Sequence, residues 1–236
     1  MTSSLVSVGI GGLAVIMGLL AGIGYGQAGG ETEPRGERDR RAGMAVGLIT
    51  VWMVATGLLA QAGTLLRFDL KPPPMAVMMA VALGMAFAIG LSPVGKRLAG
   101  GLSLGVLVFA QAFRFPLELL MHRAYTEGAM PVQLSYSGYN FDIVTGLLAT
   151  VLGALLLAGK NVPRGVILAW NFYGFLCLAV IAFVAVAGSP LVKLFGDSPE
   201  NVNTFPLHFP FVWLPTVLVV IALVGHIVIV RKLMRS

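Results

Sequence analysis

The sequence predicts an all-α, polytopic integral membrane protein with seven transmembrane helices, its N-terminus outside and its C-terminus inside. Hydrophobic residues make up 57% of the 236 residues and charged residues only 11%, whereas a soluble domain carries about a quarter charged residues. The mean hydropathy of +0.89 agrees with this class. The third observation, the uneven placement of Lys and Arg among the loops, predicts the orientation.

Each predicted helix is an apolar stretch close to the roughly 20 residues that a helix needs to cross a hydrocarbon core. Breaks containing proline at 71–74, 92–93, 131, 163 and 189–190 separate these stretches. We therefore treat residues 1–236 as a single transmembrane domain with spans at about 5–26, 43–66, 75–94, 98–122, 142–159, 166–188 and 211–230.

The first two spans are separated by residues 27–42, which mix both charge signs with glycine and proline. This composition predicts a flexible, solvated loop on the cytoplasmic side. The first span has neither a basic region before it nor a small-residue cleavage site after it, so we do not expect a cleaved signal peptide.

Lys and Arg fall mainly on one side of the predicted membrane. With the N-terminus outside, the inner loops and C-terminal tail hold eleven of the 16 Lys and Arg, and the outer side holds Arg67, Lys71, Arg114, Arg123 and Lys193. The positive-inside rule therefore favours an outer N-terminus and an inner C-terminus. Because the net charge of +6 is explained in this way, we expect no nucleic-acid partner.

Small residues recur at every fourth position in three spans, a spacing that lets helix backbones approach closely in lipid. These stripes predict helix–helix contacts rather than ligand sites. They comprise Ala14, Gly18, Gly22 and Gly26 in the first span, Ala76, Ala80, Gly84 and Ala88 in the third, and Gly146, Thr150, Ala154 and Ala158 in the fifth.

The fourth span carries polar and ionisable side chains at intervals of three and four residues, which places them on one face of a helix. They are Gln111, Arg114, Glu118, His122 and Tyr125. Ionisable groups within a span are costly and usually face the bundle interior or a water-filled cavity. This face therefore predicts a polar site, and Pro116 predicts a kink beside it.

Two structural alternatives compete with a site on this face. Arg114 and Glu118 can simply neutralise each other as an i,i+4 pair, although the favourable order is the reverse. Alternatively, the fourth helix ends near Phe113, and residues 114–125 lie along the membrane surface as an amphipathic helix.

Polar residues elsewhere can complete the predicted site. Asn140 and Asp142 directly precede the fifth helix, although Asp142 can equally be a simple helix N-cap. Asn171 and Tyr173 are predicted to form interhelical hydrogen bonds. His226, one turn before the basic tail, is predicted to face the cytoplasmic interface.

The leading hypothesis is a non-enzymatic protein with an outward-facing polar site that binds or conducts a small polar or anionic solute. Arg114 would supply positive charge, while Glu118 and His122 would form a proton-linked pair. Tyr125, Asn140 and Asp142 would contribute orienting hydrogen bonds and charge.

Two further function classes stay open. A structural or assembly subunit would dock a membrane or periplasmic protein through its aromatic outer loops, residues 122–142 and 189–210. A membrane-embedded, hydrolase-like enzyme would use Glu118 or His122 as its general base. Hydrolase and metalloprotease motifs are absent from the sequence. We expect no cofactor, because P-loop and dinucleotide motifs are also absent and the seventh span has no lysine that could bind retinal. A metal held by Glu118, His122 and His208 is an alternative, although Glu-x-x-x-His is a common accidental spacing.

Two segments resemble a pattern in uncharacterised bacterial polytopic membrane proteins. One runs from Met130-Pro131-Val132-Gln133 to Gly138-Tyr139-Asn140-Phe141-Asp142-Ile143, and the other is Phe205-Pro206 followed by Val212-Trp213-Leu214-Pro215. The resemblance covers about a quarter of the chain and implies no activity. It implies a multi-pass protein surrounded by the lipid of a bacterial inner membrane.

The predicted topology can be tested with reporter fusions. A reporter that is active only in the cytoplasm should work when it is fused after Ser236 or after Arg41, because both positions lie on the Lys- and Arg-rich side. The same reporter fused near Ser198 should be inactive. Activity at Ser198, or none at Arg41, would contradict the orientation.

Overall fold

The computed structural model of the chain describes residues 3–235; residues 1–2 and 236 of the predicted domain lie outside the described residues. Within the described part the regular structure is helical, with no strand. The α-helices are α1 (Ser4–Gln27), α2 (Arg35–Gln61), α3 (Pro74–Leu91), α4 (Pro93–Gly101), α5 (Leu104–Phe109), α6 (Arg114–Thr126), α7 (Asp142–Leu157), α8 (Arg164–Ala187) and α9 (Val219–Leu233). Short 3-10 helices lie at Thr64–Leu66, Ala110–Phe113, Val132–Leu134 and Phe205–Leu207, and a π-helix lies at Leu214–Leu218.

Among residues 3–235, six helical segments are long and apolar enough to cross a membrane. They are Ser4–Gln27, Arg35–Gln61, Pro74–Leu91, Leu104–Thr126, Arg164–Ala187 and Leu214–Leu233. The prediction of an all-α, multi-pass membrane protein is confirmed. The fifth predicted span, 142–159, is a helix of 16 residues. At 1.5 Å per residue it is roughly 24 Å long, less than the thickness of a hydrocarbon core.

Two ends of the helix bundle differ in their side chains. We call the end formed by residues 28–41, 92–103, 158–164 and 231–235 the basic end. We call the end formed by residues 62–73, 127–139 and 188–213 the aromatic end. At the basic end, Arg231 donates to the carbonyls of Gly90 and Ser92 at 2.6 and 2.9 Å. These bonds fasten the end of α9 to the turn between α3 and α4.

At the aromatic end, the start of α1 is tied to the end of α6. The backbone N–H of Ser3 donates to Glu127 Oε2 at 2.7 Å, and Arg123 donates to Glu127 Oε1 at the same distance. The hydrogen bond from Ser3 is the main reason that the pKa of Glu127 is lowered to about 2. This tie therefore persists at any pH well above that value.

The small-residue stripe of α1 packs against α2, as predicted. Its four members are buried, and a Cβ placed on Gly22 would lie 2.5 Å from Val46 Cγ2 and 3.0 Å from the Val46 backbone nitrogen. Only glycine allows the two backbones to come this close. The antiparallel pair α1–α2 therefore depends on the absence of side chains along this stripe.

The other two stripes do not form the predicted contacts throughout. In α3, Ala76, Ala80, Gly84 and Ala88 are all exposed, and the buried face is instead formed by Met75, Met78, Ala82, Ala86 and Gly90. The reason is that α3 packs on α9 with Gly90 facing Ile227. In α7, Gly146 is buried and Thr150 is half-buried, whereas Ala154 and Ala158 are exposed.

Two predicted boundaries also change. Helix α2 already begins at Arg35, so much of the predicted 27–42 loop is helical. Pro34 precedes the helix, and ion pairs such as Glu37–Arg40 at 2.9 Å stabilise its first turns. The predicted span 98–122 is divided. Residues 93–101 form the separate helix α4, and Ser103 caps the start of α5 by accepting a hydrogen bond from the N–H of Val106.

The fourth span is broken near its centre, at the position where Pro116 predicts a kink. The 3-10 helix Ala110–Phe113 separates α5 from α6. Pro116 has no N–H for the carbonyl of Ala112, four residues earlier, so the regular α-helical ladder cannot continue there. Because Arg114 and Glu118 are buried, the alternative in which residues 114–125 lie on the membrane surface is wrong.

The α1–α2 contact can be tested with matched glycine substitutions. Gly22→Val should lower the free energy of unfolding by about 1–3 kcal/mol or more, because the new side chain overlaps α2. Gly12→Val, in the same helix but with open space around its Cβ, should have little effect. Thermal unfolding in detergent measures both; equal destabilisation would contradict the contact.

Candidate functional site

A group of polar side chains is buried where the fourth span meets α7, α8 and α9. Each member is at most 5% exposed, and the central spans around it are otherwise apolar. We call this group the buried polar cluster; it consists of Gln111, Arg114, Glu118, Asn140, Asp142, Asn171 and His226. Ionisable groups at this depth need partners within the protein, and they commonly mark functional sites.

Arg114 lies at the centre of the cluster. Its Nε donates to Asp142 Oδ2 at 2.5 Å, and its Nη2 pairs with Asp142 Oδ1, so the ion pair is bidentate. Its Nη1 contacts His226 Nε2 at 2.5 Å, and Nη2 also reaches the carbonyl of Gly174 at 3.4 Å. The guanidinium thus joins α6, α7, α8 and α9.

The contact with Arg114 fixes the hydrogen-bonding state of His226. A guanidinium only donates hydrogen bonds, so His226 Nε2 must accept, and the ring proton must lie on Nδ1. Nδ1 then donates to Asn171 Oδ1 at 2.8 Å. The neutral ring contacts Trp170 and Phe175 at tilted angles, with centroid distances of 5.5 and 5.1 Å.

Close approach of α8 to this ring requires glycine at position 174. A Cβ on Gly174 would overlap the imidazole of His226. The same glycine presents its carbonyl to Arg114. Gly174 therefore brings a backbone acceptor within reach of a buried cation.

Glu118 lies one helical turn from Arg114 but contacts a different partner. The amide nitrogen of Asn140 lies 2.9 Å from both carboxyl oxygens of Glu118 and 3.1 Å from the carbonyl of Leu134. The side-chain oxygen of Asn140 accepts a hydrogen bond from the N–H of Asp142 at 3.2 Å. Asn140, rather than Asp142, thus binds a free N–H at the start of α7.

Helix α7 begins part-way through the bundle. Asp142, its first residue, pairs with Arg114, which lies in the middle of the segment Leu104–Thr126. The chain reaches this depth from the aromatic end through residues 127–141, which contain only one short 3-10 helix. Irregular backbone at membrane depth is tolerated only where protein buries it or where it lines a cavity. The carboxylate of Asp142 also interacts favourably with the positive end of the α7 dipole.

His122 and Tyr125 lie between the cluster and the aromatic end, and both are half-buried. His122 Nδ1 lies 2.9 Å from Ser135 Oγ and 3.3 Å from Ser137 Oγ, and its ring stacks on Tyr136 with a centroid distance of 4.2 Å. The structure therefore brings four predicted residues together, Arg114, Glu118, Asn140 and Asp142. The other two lie at the edge of the cluster.

Residues 3–235 contain no group of three or more His, Cys, Asp or Glu that could hold a metal ion. His208 is exposed, whereas Glu118 is buried against Asn140. The alternative metal site of Glu118, His122 and His208 is therefore not formed in the described part of the chain.

Two interpretations from the sequence need correction. Arg114 pairs with Asp142 across two helices rather than with Glu118 along one, because the start of α7 places a carboxylate directly beside the guanidinium. His226 is fully buried instead of facing the interface. Residues 211–230 contain no other ionisable side chain, and this was the sequence signal that could have indicated that His226 is buried. The predicted interhelical role of Asn171 is confirmed by its bonds to His226.

Comparison of the chain with protein-family models, with curated proteins and with solved structures finds no match. Its function must therefore be argued from the chemistry of the cluster itself.

Substitutions at the two acids should separate their roles. Asp142→Asn should lower the free energy of unfolding by about 3–5 kcal/mol, because it leaves Arg114 as an unpaired buried charge. Glu118→Gln should cost less than about 2 kcal/mol, because the new amide can still accept from Asn140.

Replacing both partners of the ion pair, Arg114→Met with Asp142→Leu, should restore much of the stability lost in Asp142→Asn, since no unpaired charge then remains. Thermal unfolding in detergent measures all three variants. A larger loss in Glu118→Gln than in Asp142→Asn would contradict the pairing described above.

Proposed function

We propose that this chain binds or conducts a small polar solute at the buried polar cluster, which the solute reaches from the aromatic end. The observation that carries the proposal is the start of α7 in mid-bundle, beside a buried cation and two acids. In many transporters, discontinuous helices place their N-termini at the bilayer midplane, where they form the substrate site. The 3-10 break before Arg114 gives the fourth span a similar interruption.

We propose seven membrane crossings, with an outer N-terminus and an inner C-terminus in a bacterial inner membrane. The bond between Ser3 and Glu127 puts the end of α6 beside the start of the chain, and Gly105 lies against Leu157 at the far end of α7. Residues 127–157 therefore run from the aromatic end to the basic end, which supports a fifth crossing. Eleven of the 16 Lys and Arg belong to the basic end, which supports its placement in the cytoplasm.

The sum of the charges in the buried polar cluster favours binding of a proton or of a cationic solute. Arg114 is the one cation, and its donors point to Asp142, His226 and Gly174. If Glu118 is ionised, the cluster has a net charge of −1, which is costly in surroundings of low polarity. Glu118 must therefore carry a proton or face a cationic solute. If a cationic solute replaced the proton on Glu118, solute binding would be coupled to release of that proton.

An anionic solute, which the sequence alone left open, has less support. Such a solute would need donors from Arg114, and these are already directed at acceptors within the protein. An uncharged or cationic solute needs no such rearrangement. Gln111 offers a further contact, because its buried Oε1 accepts no hydrogen bond from any described residue. Buried acceptors of this kind normally have a partner.

A docking subunit is the second candidate function. Tyr139 and Phe209 are 51% and 43% exposed at the aromatic end, as expected of a surface that contacts a protein partner. The same residues also suit a membrane interface, where aromatic side chains are enriched. The hydrolase hypothesis has less support, because His122 faces Ser135, which is fully buried, and Glu118 faces an amide.

A thermal-shift screen tests the proposed site. Purified protein is heated with amino acids, amines, sugars, carboxylates and inorganic anions, each at about pH 5 and about pH 8. At least one amine or uncharged solute should raise the unfolding temperature, and the shift should depend on pH because Glu118 exchanges a proton. Glu118→Gln should remove the pH dependence.

His208→Ala is the matched control, because His208 is exposed and outside the cluster; it should keep both the shift and its pH dependence. The proposal fails if no solute stabilises the protein, or if Glu118→Gln responds to pH as the wild type does. Stabilisation only by a co-purifying protein would favour the docking subunit.

A further inference from the structure

We propose that the basic end contains a second binding site, which takes a phosphate-bearing anion such as the headgroup of an anionic lipid. A cavity of about 620 Å³ opens there between the α1–α2 turn, helix α4 and the C-terminal tail. Three basic residues line it, Lys96, Arg97 and Arg235. The cavity lies at the opposite end of the bundle from the aromatic loops and shares no residue with the buried polar cluster.

The charges around this cavity leave a positive excess. Arg97 pairs with Glu33, whose other carboxyl oxygen also forms an ion pair with Arg41 at 3.0 Å. The hydrogen bond from Arg97 lowers the pKa of Glu33, so this carboxylate is ionised near neutral pH and is shared by two arginines. One acid therefore faces two cations before Lys96 and Arg235 are counted.

Lys96 and Arg235 have no acidic partner among residues 3–235. Both side chains are exposed, and the contact between them is a bond of 3.2 Å from Arg235 Nη1 to the backbone carbonyl of Lys96. Their remaining N–H donors are free to bind an anion. A tetrahedral phosphate offers several oxygens to such a group of Lys and Arg donors.

The cavity wall is rich in glycine, which lets the α1–α2 turn approach α4 and the basic residues closely. Gly29 and Gly30 come from the α1–α2 turn, and Gly100 and Gly101 come from the end of α4. A Cβ on Gly29 would overlap the Glu33–Arg97 ion pair, so this turn approaches the basic residues closely only because no side chain intervenes.

Exposed apolar residues close in sequence to residues of the cavity wall favour a lipid as the source of the phosphate. Leu91 is 65% exposed and lies just before α4, and Met234 is 76% exposed and precedes Arg235. Acyl chains can follow these side chains while the phosphate lies among the cations. Basic pockets between membrane helices are known to bind acidic headgroups in this way.

The experiment compares two double variants that each remove two positive charges from the basic end. Lys96→Gln with Arg235→Gln removes cations from the cavity wall. Lys160→Gln with Arg164→Gln is the matched control, because both residues are exposed and neither lines the cavity. Unfolding temperatures are measured in nanodiscs of phosphatidylcholine alone, with added phosphatidylglycerol, with added cardiolipin, and in phosphatidylcholine with inorganic phosphate at constant ionic strength.

The wild type and the control pair should be stabilised by at least one phosphate source. In the cavity pair the apparent affinity should fall about tenfold or more, as expected for two lost contacts with an anionic headgroup. Gly100→Leu keeps every charge but places an apolar side chain in the cavity beside Arg235, whose Nη1 would lie 3.5 Å from the new Cβ, and it should weaken the effect as well. Stabilisation by the anionic lipids but not by inorganic phosphate assigns the site to a headgroup, and the reverse assigns it to free phosphate.

Three outcomes would overturn the site. The first is that the wild type gains no stability from any phosphate source. The second is that the control pair loses as much affinity as the cavity pair. The third is that Gly100→Leu binds the phosphate source as well as the wild type does. The second outcome would mean that the whole basic surface attracts anions without a specific cavity. Each variant's unfolding temperature in phosphatidylcholine alone shows whether its fold is intact.

Discussion

The burial of one guanidinium group constrains much of this structure. A cation cannot stay unpaired inside an apolar helix bundle, and Arg114 meets that requirement with partners from three other helices. Asp142 must lie at the start of α7, His226 must face inward from α9, and α8 must come close enough for the Gly174 carbonyl to accept. The positions of four helices thus follow from the pairing of a single charge.

The same constraint explains why α7 is short. Its first residue must reach a guanidinium in the middle of the fourth span, so the preceding residues 127–141 have to enter the bundle as irregular chain. Asn140 lies in this entering segment and binds both Glu118 and the free N–H of Asp142. The arrangement that pairs the charge of Arg114 with Asp142 thereby leaves a second acid, Glu118, without a cation of its own. We propose that this group, the Glu118 carboxyl, is the functional one.

The sequence predicted the class of the fold and part of the cluster, because both depend on local patterns. Hydropathy identified the six long spans, and helical spacing placed Arg114 and Glu118 on one buried face. Long-range pairing could not be read from spacing. Asp142 is 28 residues from Arg114, and His226 is 112 residues away; helix periodicity carries no information over such distances. The α3 stripe failed for a related reason, since small residues every fourth position do not reveal which face a neighbouring helix will cover.

The most direct test of the account is the protonation pattern of the His226 side chain. In a His122→Ala, His208→Ala variant labelled with nitrogen-15 at histidine, solid-state NMR of the membrane-embedded protein reports a single imidazole. The account predicts a neutral ring with its proton on Nδ1 and with Nε2 accepting a hydrogen bond from an arginine nitrogen. A ring protonated on Nε2, or one that becomes charged as freely as an imidazole in water, would contradict the central position of Arg114.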